Sequence, residues 1–144
     1  MGLHFHFEDV NPININLPKV AEWLIDSVSA EHWKLSEVNV IFCSDNYLLE
    51  INDKHLNHKY FTDIITFNYN QNQQLSGDLF ISTERVLENA DERDIGFEDE
   101  LHRVIIHGLL HLCGYNDSTD EERLEIRSKE DFYLNLRPQN IRST

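Results

Sequence analysis

The sequence predicts an α/β (α+β) fold in which a small mixed sheet of about four strands is packed by about five helices. Two observations carry this expectation. Segments with period-2 apolar alternation are interleaved with segments of helical spacing, as a sheet covered by helices requires. One pair of strand-like segments is joined by a polar turn too short for a parallel crossover, so part of the sheet must be antiparallel. A chain of 144 residues with 40% hydrophobic content suffices for one packed core, so residues 1–144 are expected to form a single domain.

Leu3, Phe5 and Phe7 alternate with His4, His6 and Glu8, the pattern of a half-buried strand that leaves both histidines at the surface. Beyond Pro12 and Pro18, the apolar residues Val20, Leu24, Ile25 and Val28 mark a first helix over about 17–31. Val38, Val40 and Phe42 alternate in a strand over 36–43, and Ser44 or Asp45 then caps a helix carrying Tyr47, Leu48 and Ile51. The β-branched and aromatic stretch 62–69 and the segment 77–82, separated by Asn-Gln-Asn-Gln-Gln, read as two paired strands. Acidic, helix-compatible residues run from Ser82 to Asp94 and Gly96 breaks the pattern. A strong helix from about Glu98 to Cys113 ends at Gly114. Ser118 with Glu121, or Thr119 with Glu122, fits a capping box that opens a last helix carrying Leu124, Phe132 and Leu134.

Composition narrows the function classes. There is no apolar run long enough for a membrane span and no basic, apolar leader, so a cytoplasmic protein without membrane contact is expected. Cys43 and Cys113 form no C-x-x-C pair and read as free buried thiols. Twelve basic against 26 acidic residues give a formal net charge of −14, which repels a polyanion over most of the surface. Nonspecific nucleic-acid binding is therefore disfavoured, while a local contact near Lys54, His55, His58 and Lys59, or near Arg137 and Arg142, remains open.

Chemistry concentrates in the segment from His107 to Asp117. Residues four apart on a helix share a face, so His107 and His111 can reach one ion. Leu101, Val104, Ile105, Leu109 and Leu112 fill one side of this helix, with Ile106, Leu110 and Cys113 extending the apolar surface. The two imidazoles lie on the narrow polar strip with Glu100 and Arg103. A helix this apolar is largely buried, and a metal would satisfy both histidines. A catalytic zinc takes three protein ligands and keeps one position open, and the reversal at Gly114 can return Asp117 to the ion; Asp120 is the weaker candidate. An ordinary interfacial histidine pair is the alternative, against which stand the buried helix, the glycine turn and the following carboxylate. His32, His55, His58 and His102 lack such a constellation and read as surface or structural.

The segment resembles the signature H-G-x-L-H-L-x-G-Y-D-H of the YbeY family, matching at His107, Gly108, Leu110, His111, Leu112, Gly114 and Tyr115. Residues 62–67 (T-D-I-I-T-F) look like the family's T-D-V-L-S-F strand, and Gly77-Asp78 with Ile81-Ser82 looks like its G-D-I strand. The resemblance implies a compact α/β domain, one zinc ion, and a single-strand-specific endoribonuclease that hydrolyses an RNA phosphodiester through metal-activated water. It also implies a role in 16S rRNA 3′-end maturation and ribosome assembly, with rRNA precursor and ribosomal components as partners. Two departures limit the resemblance: Asp117 stands where the family usually has its third histidine, and Leu56 where it usually has an arginine. A carboxylate ligand lowers the charge of a dipositive site from about +2 to about +1 and makes it harder, and two histidines with one carboxylate also suit non-haem iron. Leucine cannot grip a phosphate as a guanidinium does. No general base is evident. Thr62, Asp63 and Asp78 lie on the motif strands without an assigned role. Gly108 follows the first histidine where an H-E-x-x-H peptidase carries its glutamate, which argues against peptide hydrolysis. A non-catalytic, metal-stabilised ribosome-assembly binding protein is the competing reading, motivated by the −14 charge and the missing arginine.

Overall fold

A computed structural model describes residues 2–57 and 60–142; His58 and Lys59, named above as one local contact, lie outside the described residues. In chain order the elements are β1 (Gly2–Phe7), α1 (Leu17–Ala30), β2 (Lys34–Cys43), α2 (Asp45–Leu56), β3 (Ile64–Asn68), β4 (Gln74–Ser82), α3 (Thr83–Glu92), α4 (Phe97–Leu112) and α5 (Asp120–Asn135). The expected mixed sheet is present. Its order is β1-β2-β4-β3, with β1 and β4 parallel to β2 and β3 antiparallel to β4.

The β3–β4 connection is tighter than the polar run suggested, because β4 begins at Gln74. Gln71 and Gln74 bridge, and Asn72 and Gln73 both take positive φ, the backbone of a two-residue type I′ turn whose twist matches the flanking strands. Ser82, Ser44 and Asn16 accept hydrogen bonds from the first turns of α3, α2 and α1. Of the two capping boxes considered for α5, the structure forms Thr119–Glu122.

Helices α1, α4 and α5 share the main core with one sheet face, around Trp23, Leu24, Val40, Leu79, Ile105 and Leu109. On the other face α2 packs Leu48 against Cys43 and Ile65. Three residues expected in the core face outward instead. On α5 the buried positions are Ile126, Glu130 and Tyr133, whereas Leu124 is 74% exposed and Phe132 is also exposed. On α1, Ile25 is exposed and Trp23 is buried, its indole N–H donating to the Tyr133 carbonyl at 2.8 Å. Burial pushes both cysteine thiols up to about 12, in keeping with unreactive thiols.

Two glycines set how closely α4 lies on the sheet. A Cβ on Gly108 would stand 2.6 Å from Ile64 Cδ1, and one on Gly77 would stand 2.5 Å from the Phe67 carbonyl oxygen and 2.8 Å from Leu112 Cδ2. Gly77→Ala meets backbone that cannot yield, so a loss of about 1–3 kcal/mol is expected in urea denaturation.

His102 is a structural histidine, fully buried with its ring edge-on to Trp23. Its Nδ1 accepts from Arg137 at 2.9 Å, and Arg137 also binds Asp99 at 2.8 Å. Burial, reinforced by the Arg137 charge, pushes its pKa down from 6.5 to about 4. The unfolded chain therefore binds this proton more readily, and the stability it supports is intact above pH 6.5 and declines as the pH falls toward 4. Between neutrality and about pH 4.5 the expected loss is about 2–3 kcal/mol. His102→Gln should begin less stable yet show a flatter pH dependence in urea titrations across that window.

Candidate metal centre

Helix α4 presents ten buried residues in its 16, and His107 and His111 occupy the half-exposed strip between them. The helix then stops at a Schellman turn: the Tyr115 N–H donates to the Leu110 carbonyl at 3.1 Å, and the N–H of Gly114, at φ +104°, donates to the His111 carbonyl at 3.0 Å. Asn70 Nδ2 caps the Leu112 carbonyl at 2.7 Å. The reversal carries the chain back along the histidine strip.

The segment after the turn is held on two sides. The Tyr115 hydroxyl donates to Glu31 at 2.7 Å, and Glu31 also accepts from Tyr133 and Lys129. Arg123 Nη1 donates to the carbonyls of Asp117 and Ser118 at 3.1 and 3.2 Å. Asp117 is thereby aimed at the histidines. His107 Nε2 and His111 Nε2 lie 2.9 Å apart, and Asp117 Oδ2 stands 3.3 Å from His111 Nε2 and 3.5 Å from His107 Nε2. Ligand atoms of a tetrahedral zinc with bonds of ~2.0–2.1 Å stand roughly 3.3 Å apart, so this triangle fits one such ion. Among the described residues, it is the group of three or more histidine, cysteine or acidic side chains whose donor atoms converge in this way.

Glu130 completes the arrangement from α5. His107 Nδ1–H donates to Glu130 Oε2 at 2.6 Å, which leaves the Nε2 lone pair directed at His111 and Asp117. Arg103 Nη1 donates to the other Glu130 oxygen at 2.9 Å, and Arg103 Nη2 reaches Asp131 at 2.7 Å. Burial opposes ionisation of both His107 and Glu130, yet their mutual hydrogen bond and charge prevail. His107 is raised and Glu130, helped by Arg103, is lowered.

His107 and Asp117 line a cleft of about 640 Å³ between α4, α5 and the start of β3. Its acidic lining residues are Asp63, Glu100, Asp117, Asp120 and Glu130; its basic ones are Arg93, Arg103, Arg123 and Arg127. Burial lifts Asp63 against the opposing charge of His107, and lifts Glu100 despite its 2.5 Å ion pair with Arg93. Glu100 Oε1 is buried without a hydrogen-bond partner.

The positions singled out in the sequence therefore separate. His107, His111 and Asp117 come together. Asp120 instead accepts from Arg123 and lies outside the triangle. Glu100 and Arg103 share the cleft, and Asp63 lines it. Asp78 accepts from Asn39 at 3.1 Å on the sheet face opposite Gly77 and Leu79, while Thr62 does not line the cleft. Leu56 is exposed at the end of α2. Glu130 was not anticipated. Its signal in the sequence was an acidic residue at a core-facing position of α5, in helical register with Ile126 and Tyr133.

Comparison with known proteins adds the family. The model of the family described as Endoribonuclease YbeY matches residues 6–137. The chain belongs to the YbeY family. A Flavobacterium psychrophilum protein named Endoribonuclease YbeY is 51% identical over 114 residues, covering 79% of this chain and 81% of the relative. A Bacteroides thetaiotaomicron protein of the same name is 43% identical over 137 residues, covering 95% and 100%. A Thermotoga maritima protein of known solution structure superposes with a TM-score of 0.69 at 30% identity, covering 92% of this chain and 87% of that one. The matched range of the YbeY model contains the whole triangle and Glu130.

If Glu130 orients His107, the isosteric Glu130→Gln should weaken zinc binding about 10–100-fold in chelator competition. Unchanged zinc affinity would remove Glu130 from the centre.

Proposed function

We propose that this YbeY-family chain is a zinc-dependent endoribonuclease, a hydrolase of RNA phosphodiester bonds, with His107, His111 and Asp117 as the protein ligands of one zinc ion. The observation that carries the reading is the convergence of two imidazole nitrogens and a carboxylate oxygen, 2.9–3.5 Å apart, at the edge of a cleft. A zinc ion held by these three residues would supply Lewis-acid chemistry for activating water toward a phosphodiester. The chain's own groups do the rest. Glu130 fixes the His107 tautomer, and Arg103 keeps Glu130 ionised and in place. Asp63 and Glu100, both lifted by burial, offer acceptors within the cleft for a proton released in hydrolysis.

In this reading residues 1–144 act as one YbeY-like domain on single-stranded RNA in 16S rRNA 3′-end maturation and ribosome assembly, in the cytoplasm. The relatives' names support cleavage of RNA. No helix among the described residues is long and apolar enough to cross a membrane.

Zinc-loaded protein should cut a single-stranded oligoribonucleotide, and chelation should abolish cutting. His111→Ala, whose side chain is only half-buried, should keep the wild-type far-UV spectrum while losing zinc stoichiometry and at least about a hundredfold in kcat/KM. Undiminished cleavage by that variant, or by chelated protein, would refute the zinc mechanism. Intact RNA alongside unchanged ribosome association would favour the non-catalytic binding protein instead.

A further inference from the structure

Among the described residues, this cleft gathers four arginines on an otherwise acidic chain. Its five carboxylates and four guanidiniums leave it at −1, so the remaining −13 of the formal −14 lies elsewhere. An RNA strand is therefore repelled less here than over the rest of the surface, and four guanidiniums stand within reach of its phosphates.

The four arginines are not equivalent. Arg103 is committed to Glu130 and Asp131, at 2.9 and 2.7 Å. Arg93 is committed to Glu100, and Arg123 to Asp120 and the carbonyls of Asp117 and Ser118. Arg127 is different. Its nearest carboxylate oxygen, Glu130 Oε1, is 4.0 Å away and already accepts from Arg103, while the second Glu130 oxygen accepts from His107. Its side chain is 57% exposed and lines the same cleft as His107 and Asp117. Among the described residues its guanidinium makes only that long ion pair, and a guanidinium projecting from a helix into a cleft matches the fork geometry of phosphate oxygens.

We propose that Arg127 is the phosphate-binding residue of this cleft, gripping a phosphodiester of the RNA strand beside the His107–His111–Asp117 centre. The assignment rests on the endoribonuclease reading for the identity of its ligand. Arg127 acts in binding, holding the strand while the groups around the histidines act on it. Lysine in its place keeps the charge and loses the fork.

The test compares zinc-loaded wild type, Arg127→Ala and Arg127→Lys on a labelled single-stranded oligoribonucleotide, following cleavage kinetics and fluorescence anisotropy over a range of salt concentrations. Arg127→Ala should raise KM and the anisotropy Kd about tenfold or more with a smaller change in kcat, at unchanged zinc content. The slope of log K against log salt should flatten by about 0.7, the value of one phosphate contact on a single strand. Arg127→Lys should restore the slope and only part of the affinity. Wild-type KM, Kd and salt slope in Arg127→Ala would overturn the assignment while leaving the zinc enzyme standing. If wild-type protein binds the oligonucleotide without cutting it, the enzyme reading falls and the anisotropy comparison still decides Arg127. Absence of binding by wild type overturns both.

Discussion

The close seating of α4 on the β3–β4 part of the sheet governs the rest of this structure. Gly108 and Gly77 remove the two side chains that would hold helix and sheet apart. The helix can then bury Leu101, Ile105, Leu109 and Leu112 against Leu79 and its neighbours. Closely packed interiors leave no freedom for such a helix to rotate without opening voids or clashes. The orientation of the polar strip is therefore dictated by the apolar contacts behind it, and the imidazoles are directed by packing rather than by any ligand.

That seating creates an electrostatic demand. A polar group near a buried helix must be partnered, and Glu130 is itself almost fully buried. The structure answers with a continuous chain, Asp131–Arg103–Glu130–His107, in which each group is hydrogen-bonded to the next. Helix α5 is joined to α4 through this chain as much as through Ile126 and Tyr133. Removing Arg103 would leave the buried Glu130 carboxylate without its countercharge, a more severe defect than exchanging the pair for apolar residues.

What was legible in the sequence was what is local. The i, i+4 histidines, the glycine turn and Asp117 lie within eleven residues, and the geometry of a helix ending in a left-handed residue relates them directly. The interleaved strands and helices were legible for the same reason. Glu130 was not, because it meets His107 across 23 residues of intervening chain. The face of α5 was misread for a related cause. Leu124 and Phe132 resemble core residues, but the face that α4 covers contains a glutamate, so hydrophobicity alone points to the wrong side. Ile25 was likewise placed inside by its type, although Trp23 and Ser27 hold the buried positions beside Leu24 and Val28.

The three donors do not bear equal structural responsibility. His107 and His111 are built into a helix whose every other face is core, so altering that helix disturbs the fold. Asp117 stands beyond the Schellman turn, its side chain 45% exposed, its position maintained by contacts that reach its backbone and that of its neighbours. The contacts that hold this position act through its backbone carbonyl, not its carboxylate. An aspartate there, in place of a histidine, changes the formal charge of the group by one unit at a side chain that is 45% exposed. Position 117 is thus where the charge of this three-residue group can change with the least disturbance of the fold.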